Sequence, residues 1–365
     1  MARLGLAPDF HVTFANDMDP AKARQYDAAF GPGTMRCGDV AALTPADLPG
    51  QPALAWASFP CQDLSLAGGR GGLDAPRSGA FWSFWRLMRT LDQEGRAPPT
   101  IALENVIGLL TSRGGADFTA LATALTESGY KFGALALDAA HFVPQSRPRL
   151  FVIATRTVPP RGLTTAAPSE PFHPPALCAR IAALPEAVRA RALWWAPPPP
   201  PLRNATLVDV IEDPPVGVCW NAPAKTQRLL TLMAPRQRAQ VEARCAAGGR
   251  HVGALFKRMR AENGIKTQRA EVRFDGLAGC LRTPAGGSSR QTLLFVEDGL
   301  VRSRLIAPRE AARLMGLPDD YPLPDNQTAA LHLLGDGVAT PVVRFLSAHI
   351  LAPLAAAGPG RRRAA

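Results

Sequence analysis

Short apolar runs alternate with amphipathic stretches through the first 155 residues. The apolar runs, which predict strands, are His11–Ala15, Leu54–Ser58, Thr100–Leu103 and Leu150–Ala154, and the helix-like stretches between them are Asp19–Ala29, Ser78–Asp92 and Asp117–Ser128. This alternation predicts an α/β fold with a mostly parallel sheet that is covered on both faces. Ligands bind such sheets at the carboxyl ends of the strands.

The pattern changes after Thr155. Residues 155–201 are rich in proline and end in Pro197–Pro201, which is typical of a linker or an irregular entry to a new unit. Residues 204–303 mix short strands with a helix around Pro235–Cys245, and helices return at Pro308–Met315 and Pro341–Ala356. We therefore expect a first domain, residues 1–155, a smaller mixed region, residues 156–303, and a return to the first domain in residues 304–365.

The predicted regions also differ in net charge. The chain has 365 residues and a net charge of +11, and residues 156–303 hold 21 Lys and Arg against 11 Asp and Glu. A neutral unit beside a basic one favours small-molecule chemistry in the first and polyanion binding in the second. Because arginine far outnumbers lysine and alanine and proline are abundant, a G+C-rich coding sequence is an equally good explanation of the charge.

Several classes of protein are disfavoured. The six cysteines include no CxxC pair and the six histidines form no cluster with ligand spacing, so we expect no metal site. Charges and prolines interrupt the apolar runs, and the N-terminus lacks the order of a secretory signal. We therefore expect no membrane partner and a cytoplasmic location.

Three short segments carry reactive residue types. They are Ser58-Phe59-Pro60-Cys61, which opens into a glycine-rich stretch, Glu104-Asn105-Val106 at a strand end, and Gln145-Ser146-Arg147-Pro148-Arg149 before a strand. Taken singly, each has a structural explanation: a core cysteine, a helix-cap contact, and two arginines paired with surface carboxylates. Arg147 and Arg149 alternate along an extended segment, so their side chains are predicted on one side.

In this order the three segments resemble the signature of the DNA (cytosine-5) methyltransferases. Further segments match the same family: Asn16-Asp17-Met18-Asp19-Pro20, Gly38-Asp39-Val40, Arg77-Ser78-Gly79-Ala80-Phe81, Arg304 to Gly316, and Gly335 to Val342. The resemblance covers nearly the whole chain. It implies a Rossmann-like class I methyltransferase fold with a catalytic and cofactor-binding domain in residues 1–155, a target-recognition region in residues 156–303, and the family's last two motifs in residues 304–365.

The resemblance implies that this chain methylates cytosine C5 in duplex DNA. The thiolate of Cys61 would add to C6 of a flipped-out base, because the aromatic ring is otherwise too poor a nucleophile at C5. Glu104 would hold the N3 and N4 edge of the base. Arg147 would lie beside Cys61 and favour its thiolate, and Arg149 and Gln145 would complete the catalytic set.

S-adenosylmethionine is the implied cofactor. Asp17 would accept the ribose hydroxyls and Asp39 the adenine amino group, while Met18 and Val40 would sandwich the adenine ring. The remaining residues expected to line the cofactor pocket are Phe59, Phe81, Asp336 and Val338.

Residues that contact DNA are expected in two places. Gln62, Ser65 and Arg70 belong to the glycine-rich segment after Cys61, and Arg282, Arg290 and Gln291 have the donor geometry to read guanine and adenine edges. Phosphate contacts explain the latter three equally well. The expected partners are double-stranded DNA and a restriction endonuclease that acts separately, and the protein is expected to be a monomer.

The chain departs from the family at several points. Met1 to Leu6 resembles the helix that follows the family's first, glycine-rich motif, so we expect either a start codon assigned too late or a chain with weakened cofactor binding. Asp336 stands where the family usually has asparagine, and Cys280-Leu281 where it has Thr-Leu. Two alternatives remain open, an RNA cytosine-5 methyltransferase and a catalytically impaired DNA-binding relic.

Overall fold

A computed structural model describes residues 1–59, 79–262, 265–283 and 290–358, in two compact units. We call the first the N-terminal unit; it comprises the described residues within Arg3–Asp138, Pro148–Pro199 and Val343–Ala365. The second, the central unit, comprises the described residues within Met1–Ala2, Ala139–Arg147 and Pro200–Val342. Residues 156–199 thus pack with the N-terminal unit and residues 304–342 with the central unit, whereas the division into catalytic and target-recognition regions stays a prediction.

Strands and helices alternate along the N-terminal unit. Its strands are β1 (Ala15–Asp17), β2 (Met35–Cys37), β3 (Leu54–Ser58), β4 (Thr100–Asn105), β5 (Lys131–Asp138), β6 (Pro148–Thr155), β7 (Thr164–Thr165) and β8 (Trp194–Trp195). Its helices are α1 (Ala2–Leu6), α2 (Pro20–Phe30), α3 (Ala80–Gln93), α4 (Ala116–Glu127), α5 (Pro175–Ala182), α6 (Glu186–Arg189) and α12 (Ala352–Ala357). Ala2 itself is grouped with the central unit.

The main sheet of this unit has the order β3-β4-β6-β5 and is mixed. Strands β3 and β4 are parallel, whereas β6 runs antiparallel to both β4 and β5. Strands β1 and β2 form a separate parallel pair. The α/β class predicted from the sequence is confirmed, and the parallel pairs bring Ser58 beside Glu104 and Asp17 beside Cys37 at strand ends.

The sheet is covered on both faces. All six residues of β4 are buried, which requires apolar neighbours on each side because successive side chains point to opposite faces. Phe81 and Trp85 of α3 and Phe118 and Leu125 of α4 belong to the same hydrophobic core as Ile101 and Leu103 of β4. The amphipathic stretches identified in the sequence therefore supply the layer that fixes the positions of β3 and β4.

The proline-rich segment 156–199 is packed, so its interpretation as a linker was wrong. Trp195 is fully buried, Phe172 stacks on Phe345, and Leu193 N donates to Phe132 O of β5 at 2.7 Å. Proline here limits regular structure without preventing burial. The segment closes over the free edge of β5.

At Gly133 the backbone of β5 lies close to Leu193 and Trp195. A Cβ at this buried position would lie 2.5 Å from Leu193 O and 2.5 Å from Trp195 Nε1. We expect Gly133→Ala to lower the free energy of unfolding by about 1–3 kcal/mol, because the neighbouring backbone has to move. Urea denaturation measures this, and Gly108→Ala, where the nearest atom is 3.7 Å away, should change stability little; equal effects of the two substitutions would contradict the packing described.

The central unit is built on an antiparallel sheet. Its elements are α7 (Pro223–Thr231), α8 (Pro235–Ala247), β9 (Arg250–Glu262), β10 (Ile265–Arg273), β11 (Thr292–Glu297), β12 (Leu300–Leu305), α9 (Pro308–Leu314) and α10 (Gln327–Asp336), with strand order β10-β9-β11-β12. Leu229 of α7 and Met233, two residues after that helix, belong to one apolar cluster. The cluster also contains Leu255, Val272 and Leu294 of the sheet. Helix α11 (Thr340–Leu346) begins in this unit.

One apolar stretch, Gln327–Ala357, has the length and composition of a membrane-crossing helix, with a mean hydropathy of 1.5. Of the most apolar 18 residues in this stretch, 56% are buried inside the protein. The stretch is also interrupted between α10 and α11. Core helices that pack within a protein meet the same criteria. The stretch is therefore weak evidence for a membrane span.

Candidate active site

The carboxyl ends of β3 and β4 are joined by a buried side chain. Asn105 Nδ2 donates to Phe59 O at 2.9 Å, and Asn105 Oδ1 accepts from Val106 N at 2.8 Å. This pair of bonds fixes the direction in which the chain leaves β3. Cys61 follows two positions after Phe59 and lies outside the described residues, as do Gln62, Ser65 and Arg70.

Glu104 lies at the end of β4 with Arg149 of β6 beside it. The carboxyl is nearly buried, with 8% of the residue exposed, and its Oε1 is 3.0 Å from Arg149 Nε. Antiparallel pairing of β4 and β6 sets Glu104 opposite Phe151, so Arg149 reaches back along the strand to the carboxylate. The pair presents a fixed carboxyl group, oriented by a guanidinium, at a strand end.

Phe59 and Phe81, predicted to line the cofactor pocket, lie in the hydrophobic core of this unit. Their ring centroids are 5.2 Å apart, and Phe81 also stacks on Trp85 at 6.1 Å. Phe81 is fully buried, so its described contacts are those of a core residue. A ligand-lining role for either ring stays a prediction.

One aspartate, Asp17, ends strand β1, and another, Asp39, lies two residues after the parallel strand β2. Asp17 Oδ1 accepts from Asp19 N at 2.9 Å, and Asp39 Oδ1 accepts from Ala41 N at 2.9 Å. Asn16 Nδ2 joins the strand ends by donating to Arg36 O and Gly38 O, both at 2.9 Å. These bonds leave two oriented carboxylates at one sheet edge.

Apolar groups accompany these aspartates. Met18 is 73% exposed, which is unusual for a large apolar side chain, and Val40 is half-buried. An exposed methionine next to Asp17 in the chain suits a ligand that combines a flat ring with hydroxyl and amino groups. The predicted cofactor residues Asp17, Met18, Asp39 and Val40 are therefore brought together.

Gln145 and Arg147, predicted to be catalytic, bond to the central unit's own backbone. Gln145 is fully buried; its Nε2 donates to Leu314 O at 2.7 Å and its Oε1 accepts from Leu281 N at 3.0 Å. Arg147, 2% exposed, donates to the carbonyls of Leu281, Gly335 and Gly337 at 2.7, 2.8 and 2.6 Å. Arg147 and Arg149 thus have separate partners, although the alternation predicted one side for both.

The segment Gly335–Val338 ends α10 and carries two predicted cofactor residues. Asp336 is exposed and accepts a hydrogen bond from Thr283 Oγ1. Val338 is buried. Asp336 is thus tied to the stretch that precedes residues 284–289, which lie outside the described residues.

The predicted DNA-reading residues line a groove of about 570 Å³ in the central unit. Arg282 is exposed on it, and Arg290 donates to Thr328 Oγ1. Gln291 is buried and donates to Leu255 O at 2.8 Å. Arg282 therefore has the most accessible donor groups of the three.

Comparison with known proteins identifies the family of the chain. The family model described as C-5 cytosine-specific DNA methylase matches residues 2–352. The chain belongs to this family. The protein is therefore a DNA (cytosine-5) methyltransferase.

Relatives of this DNA methylase act in bacterial type II systems. It is 26% identical over 350 residues to the type II methyltransferase M.NlaX of Neisseria lactamica, covering 95% of this chain and 91% of that protein. It is 24% identical over 360 residues to M.HpaII of Haemophilus parainfluenzae, covering 93% and 83%. The names of these relatives support a role for this protein in DNA methylation within a restriction-modification system.

Solved structures share the fold of the methylase. The Dnmt2 methyltransferase of S. pombe has a TM-score of 0.55 and 16% identity, covering 96% of this chain and 93% of that one. A putative DNA modification methyltransferase encoded within an E. coli prophage has a TM-score of 0.54 and 16% identity, covering 96% and 94%. The Rossmann-like methyltransferase architecture expected from the sequence is confirmed.

Methyltransferases generally take their methyl group from S-adenosylmethionine, and the residues at the edge of β1 and β2 fit that molecule. The two carboxylates suit its ribose diol and adenine amino group, and the exposed side chain of Met18 offers an apolar surface for the ring. A Cβ added at Gly38, where φ is +152°, would meet no atom within 4 Å, so the backbone there is open. The chemistry of this edge therefore agrees with the family's cofactor.

The sequence interpretation gave no role to Asn105, which the structure places between β3 and β4. Its signal was its position, since it follows Glu104 directly at a strand end. A polar residue that is buried at such an end needs a hydrogen-bond partner, and the neighbouring strand's terminal carbonyl is the nearest one. That reasoning could have identified Asn105 as the residue that holds the carbonyl of Phe59.

Proposed function

We propose that this methylase transfers a methyl group from S-adenosylmethionine to C5 of a flipped-out cytosine in duplex DNA, through a covalent adduct of Cys61. The observation that supports it most is the end of the parallel pair β3 and β4, where Glu104 is oriented by Arg149 and Asn105 holds the carbonyl of Phe59. Cys61 follows Phe59 by two positions in the sequence. A nucleophile and a carboxyl group are thereby expected at neighbouring strand ends.

Cys61 supplies the nucleophile in this proposal. Its Sγ adds to C6 of the cytosine, the C5–C6 double bond opens, and C5 gains the electron density to take a methyl group. S-adenosylmethionine supplies that methyl group when bound. Loss of the proton from C5 and expulsion of the thiolate restore the aromatic ring and free the enzyme.

Glu104 holds the pyrimidine edge. Its carboxyl group accepts a hydrogen bond from the N4 amino group and shares a proton with N3, which neutralises the negative charge that develops at N3 while Sγ adds to C6. Arg149 fixes the rotamer of Glu104 through its contact at 3.0 Å. Because the carboxyl is nearly buried, its interaction with the base is weakly screened by water.

DNA is bound by the central unit in this proposal. The base must leave the stack, which costs a few kcal/mol. Arg282, exposed on the groove, is the first candidate for a base contact, followed by Arg290; Gln291 is occupied by the backbone of Leu255. A bidentate arginine contact reads guanine.

Gln145 and Arg147 are proposed to position the site without touching the base. The side chain of Gln145 is held by Leu314 and Leu281, and that of Arg147 by Leu281 and the end of α10, all in the central unit. A monomeric state, a cytoplasmic location and a separate restriction endonuclease as functional partner remain predictions alongside this one.

Methyl transfer to defined polymers tests the proposal. The protein is incubated with tritium-labelled S-adenosylmethionine and either duplex DNA or RNA of the same sequence, and the DNA is then read by bisulfite sequencing. We expect label in the duplex DNA, with protected cytosines in one sequence context. Label in RNA alone, or at adenines, would contradict the proposal.

A further inference from the structure

Strand β9 extends beyond its neighbour β11. In the described part of the chain, pairing between β9 and β11 ends at Leu255, whereas β9 and β10 stay paired as far as Glu262. Residues 256–262 and 265–271 therefore form a two-stranded antiparallel arm of the central unit, which we call the ribbon. Seven residues of strand extend over about 20 Å. A two-stranded ribbon fits into the major groove of duplex DNA.

One face of the ribbon carries arginines that are already engaged. Arg260 Nη2 lies 2.5 Å from Glu271 Oε1, and Arg258 Nε lies 3.8 Å from Glu271 Oε2. The Arg258 guanidinium also lies over the Phe256 ring, 4.5 Å from its centroid. These contacts hold the two arginine side chains against the ribbon itself, and the carboxylate neutralises part of their charge.

The opposite face continues from the apolar cluster of the central unit. Leu255 belongs to that cluster, and Lys257 and Met259 follow it on the same face because successive side chains of a strand alternate. Both are exposed, and 57% of Met259 is accessible to solvent. Gln268 is paired directly with Met259 across the two strands and is exposed as well. An apolar side chain and an amide are thus neighbours on this face.

Met259 and Gln268 both line the groove on which Arg282 is exposed. Side chains directly opposite each other in an antiparallel pair have Cβ atoms about 5 Å apart, so these two can contact one ligand together. Neither is charged, so attraction to phosphate does not account for the pair. Lys257 and Lys266, both exposed, lie on the same face on either side of it.

We propose that Met259 and Gln268 are specificity-determining residues that together read one A·T base pair in the major groove, while Lys257 and Lys266 contact flanking phosphates. This inference rests on the proposed function, which brings duplex DNA to the groove. The amide of Gln268 donates to N7 of adenine and accepts from its N6 amino group, and Met259 contacts the methyl group of the paired thymine. Methionine suits this contact because its unbranched, polarisable side chain adapts to the surface it meets.

The sequence context of methylation tests this proposal. A pool of duplexes with randomised bases around a cytosine is methylated by the full chain and read by bisulfite sequencing. At one position we expect A·T to be preferred over G·C by at least about 20-fold. In Gln268→Ala that preference should fall to about 4-fold, the share of the thymine methyl group, while preferences at other positions are unchanged.

Base analogues at that position assign each side chain to its atom. Uracil in place of thymine removes only the methyl group, and 7-deazaadenine in place of adenine removes only the N7 acceptor. We expect uracil to lower kcat/KM of the unaltered protein about 3- to 5-fold and to have no further effect in Met259→Ala. We expect 7-deazaadenine to lower it about 3- to 10-fold and to have no further effect in Gln268→Ala.

Two control variants separate base reading from other contacts. Lys257→Ala should weaken the binding of all duplexes alike and reduce the salt dependence of binding by about one ion, with the A·T preference unchanged. Gln227, an exposed glutamine of α7, is not one of the described residues that line the groove. Gln227→Ala should therefore leave both the rate and the preference as they are in the unaltered protein.

The outcomes distinguish this inference from the proposed function. Duplex methylation without an A·T preference at any position, or a preference that Gln268→Ala leaves intact, would overturn base reading by the ribbon and leave the proposed function standing. The same holds if Gln268→Ala lowers methylation equally in every sequence context, because a contact that reads no base has that effect. Absence of methyl transfer to every duplex would overturn both.

Discussion

Replacing Glu104 with alanine should lower the single-turnover rate of methyl transfer by about 10²- to 10⁴-fold, the range typical of a positioned acid or base. Without the carboxyl, nothing at the end of β4 stabilises charge at N3 as the thiolate adds to C6. The rate is measured with saturating labelled cofactor and excess enzyme over DNA. Because the loss is in the chemical step, the affinity for duplex DNA should change much less than the rate.

Two comparisons make the Glu104 result specific. Asp92 also pairs with an arginine, Arg156, at 2.5 Å in the same unit. Arg156 follows Thr155, which pairs with Thr100 at the other end of β4 from Glu104, so Asp92→Ala should leave the rate near that of the unaltered enzyme. Glu104→Gln keeps the shape of the side chain yet cannot share a proton in the same way. If Glu104→Ala retained a rate within about 3-fold of normal, the carboxyl group of Glu104 would not stabilise charge at N3 as proposed.

Glu310 should be among the residues whose loss destabilises the protein most. Its carboxylate and the Arg304 guanidinium are both fully buried and bond through two contacts of 2.6 and 2.8 Å. Glu310 also accepts from Ala307 N at 2.7 Å and Glu212 N at 2.8 Å. We expect Glu310→Ala to lower the free energy of unfolding by about 3–5 kcal/mol, because it leaves Arg304 charged and unpaired in the interior.

An exposed pair in the same unit is the matched control for Glu310. Arg313 and Asp319 also form two contacts, of 2.7 and 2.9 Å, but the Asp319 side chain is 64% exposed. Asp319→Ala should therefore cost less than about 1 kcal/mol. Denaturant unfolding of both variants measures the difference, and similar losses for the two would show that burial does not set the cost of breaking these ion pairs.

The local pattern predicted the elements of the N-terminal unit well where periodicity was strong. Strand Leu54–Ser58 has its predicted bounds, and the helices beginning near Pro20 and Ala80 lie within about two residues of theirs. Asp19 explains the first, since its side chain caps α2 by accepting from Ala21 N at 2.8 Å. Such signals depend on near neighbours in the sequence.

Strand β5 was missed for a long-range reason. Lys131–Asp138 contains alanine and glycine, which favour strands weakly, and its strand character depends on pairing with β6 and on the cover given by Leu193 and Trp195. The antiparallel direction of β6 depends on the same pairing. Neither is encoded in a short window of sequence.

The candidate site residues show the same contrast between local sequence signals and long-range packing. The resemblance of the motifs to the family indicated Glu104 and Asp17, and the functional roles of both residues stay predictions. Gln145 and Arg147 belong to the same recognisable segment as Arg149, and the sequence could not show that their side chains bond to the loops at Leu281 and Gly335. A motif fixes residue types, whereas the partners of a buried polar group depend on tertiary packing.

Trapping the covalent adduct tests the central claim most directly. The enzyme is incubated with S-adenosylmethionine and a duplex in which the target cytosine carries fluorine at C5, so that the ring cannot lose its C5 substituent as a proton and the thiolate cannot leave. We predict a complex stable to denaturation, with mass spectrometry placing the cross-link at Cys61, and no such complex with Cys61→Ser. Folded protein that methylates the normal duplex yet forms no cross-link at Cys61 would contradict the account.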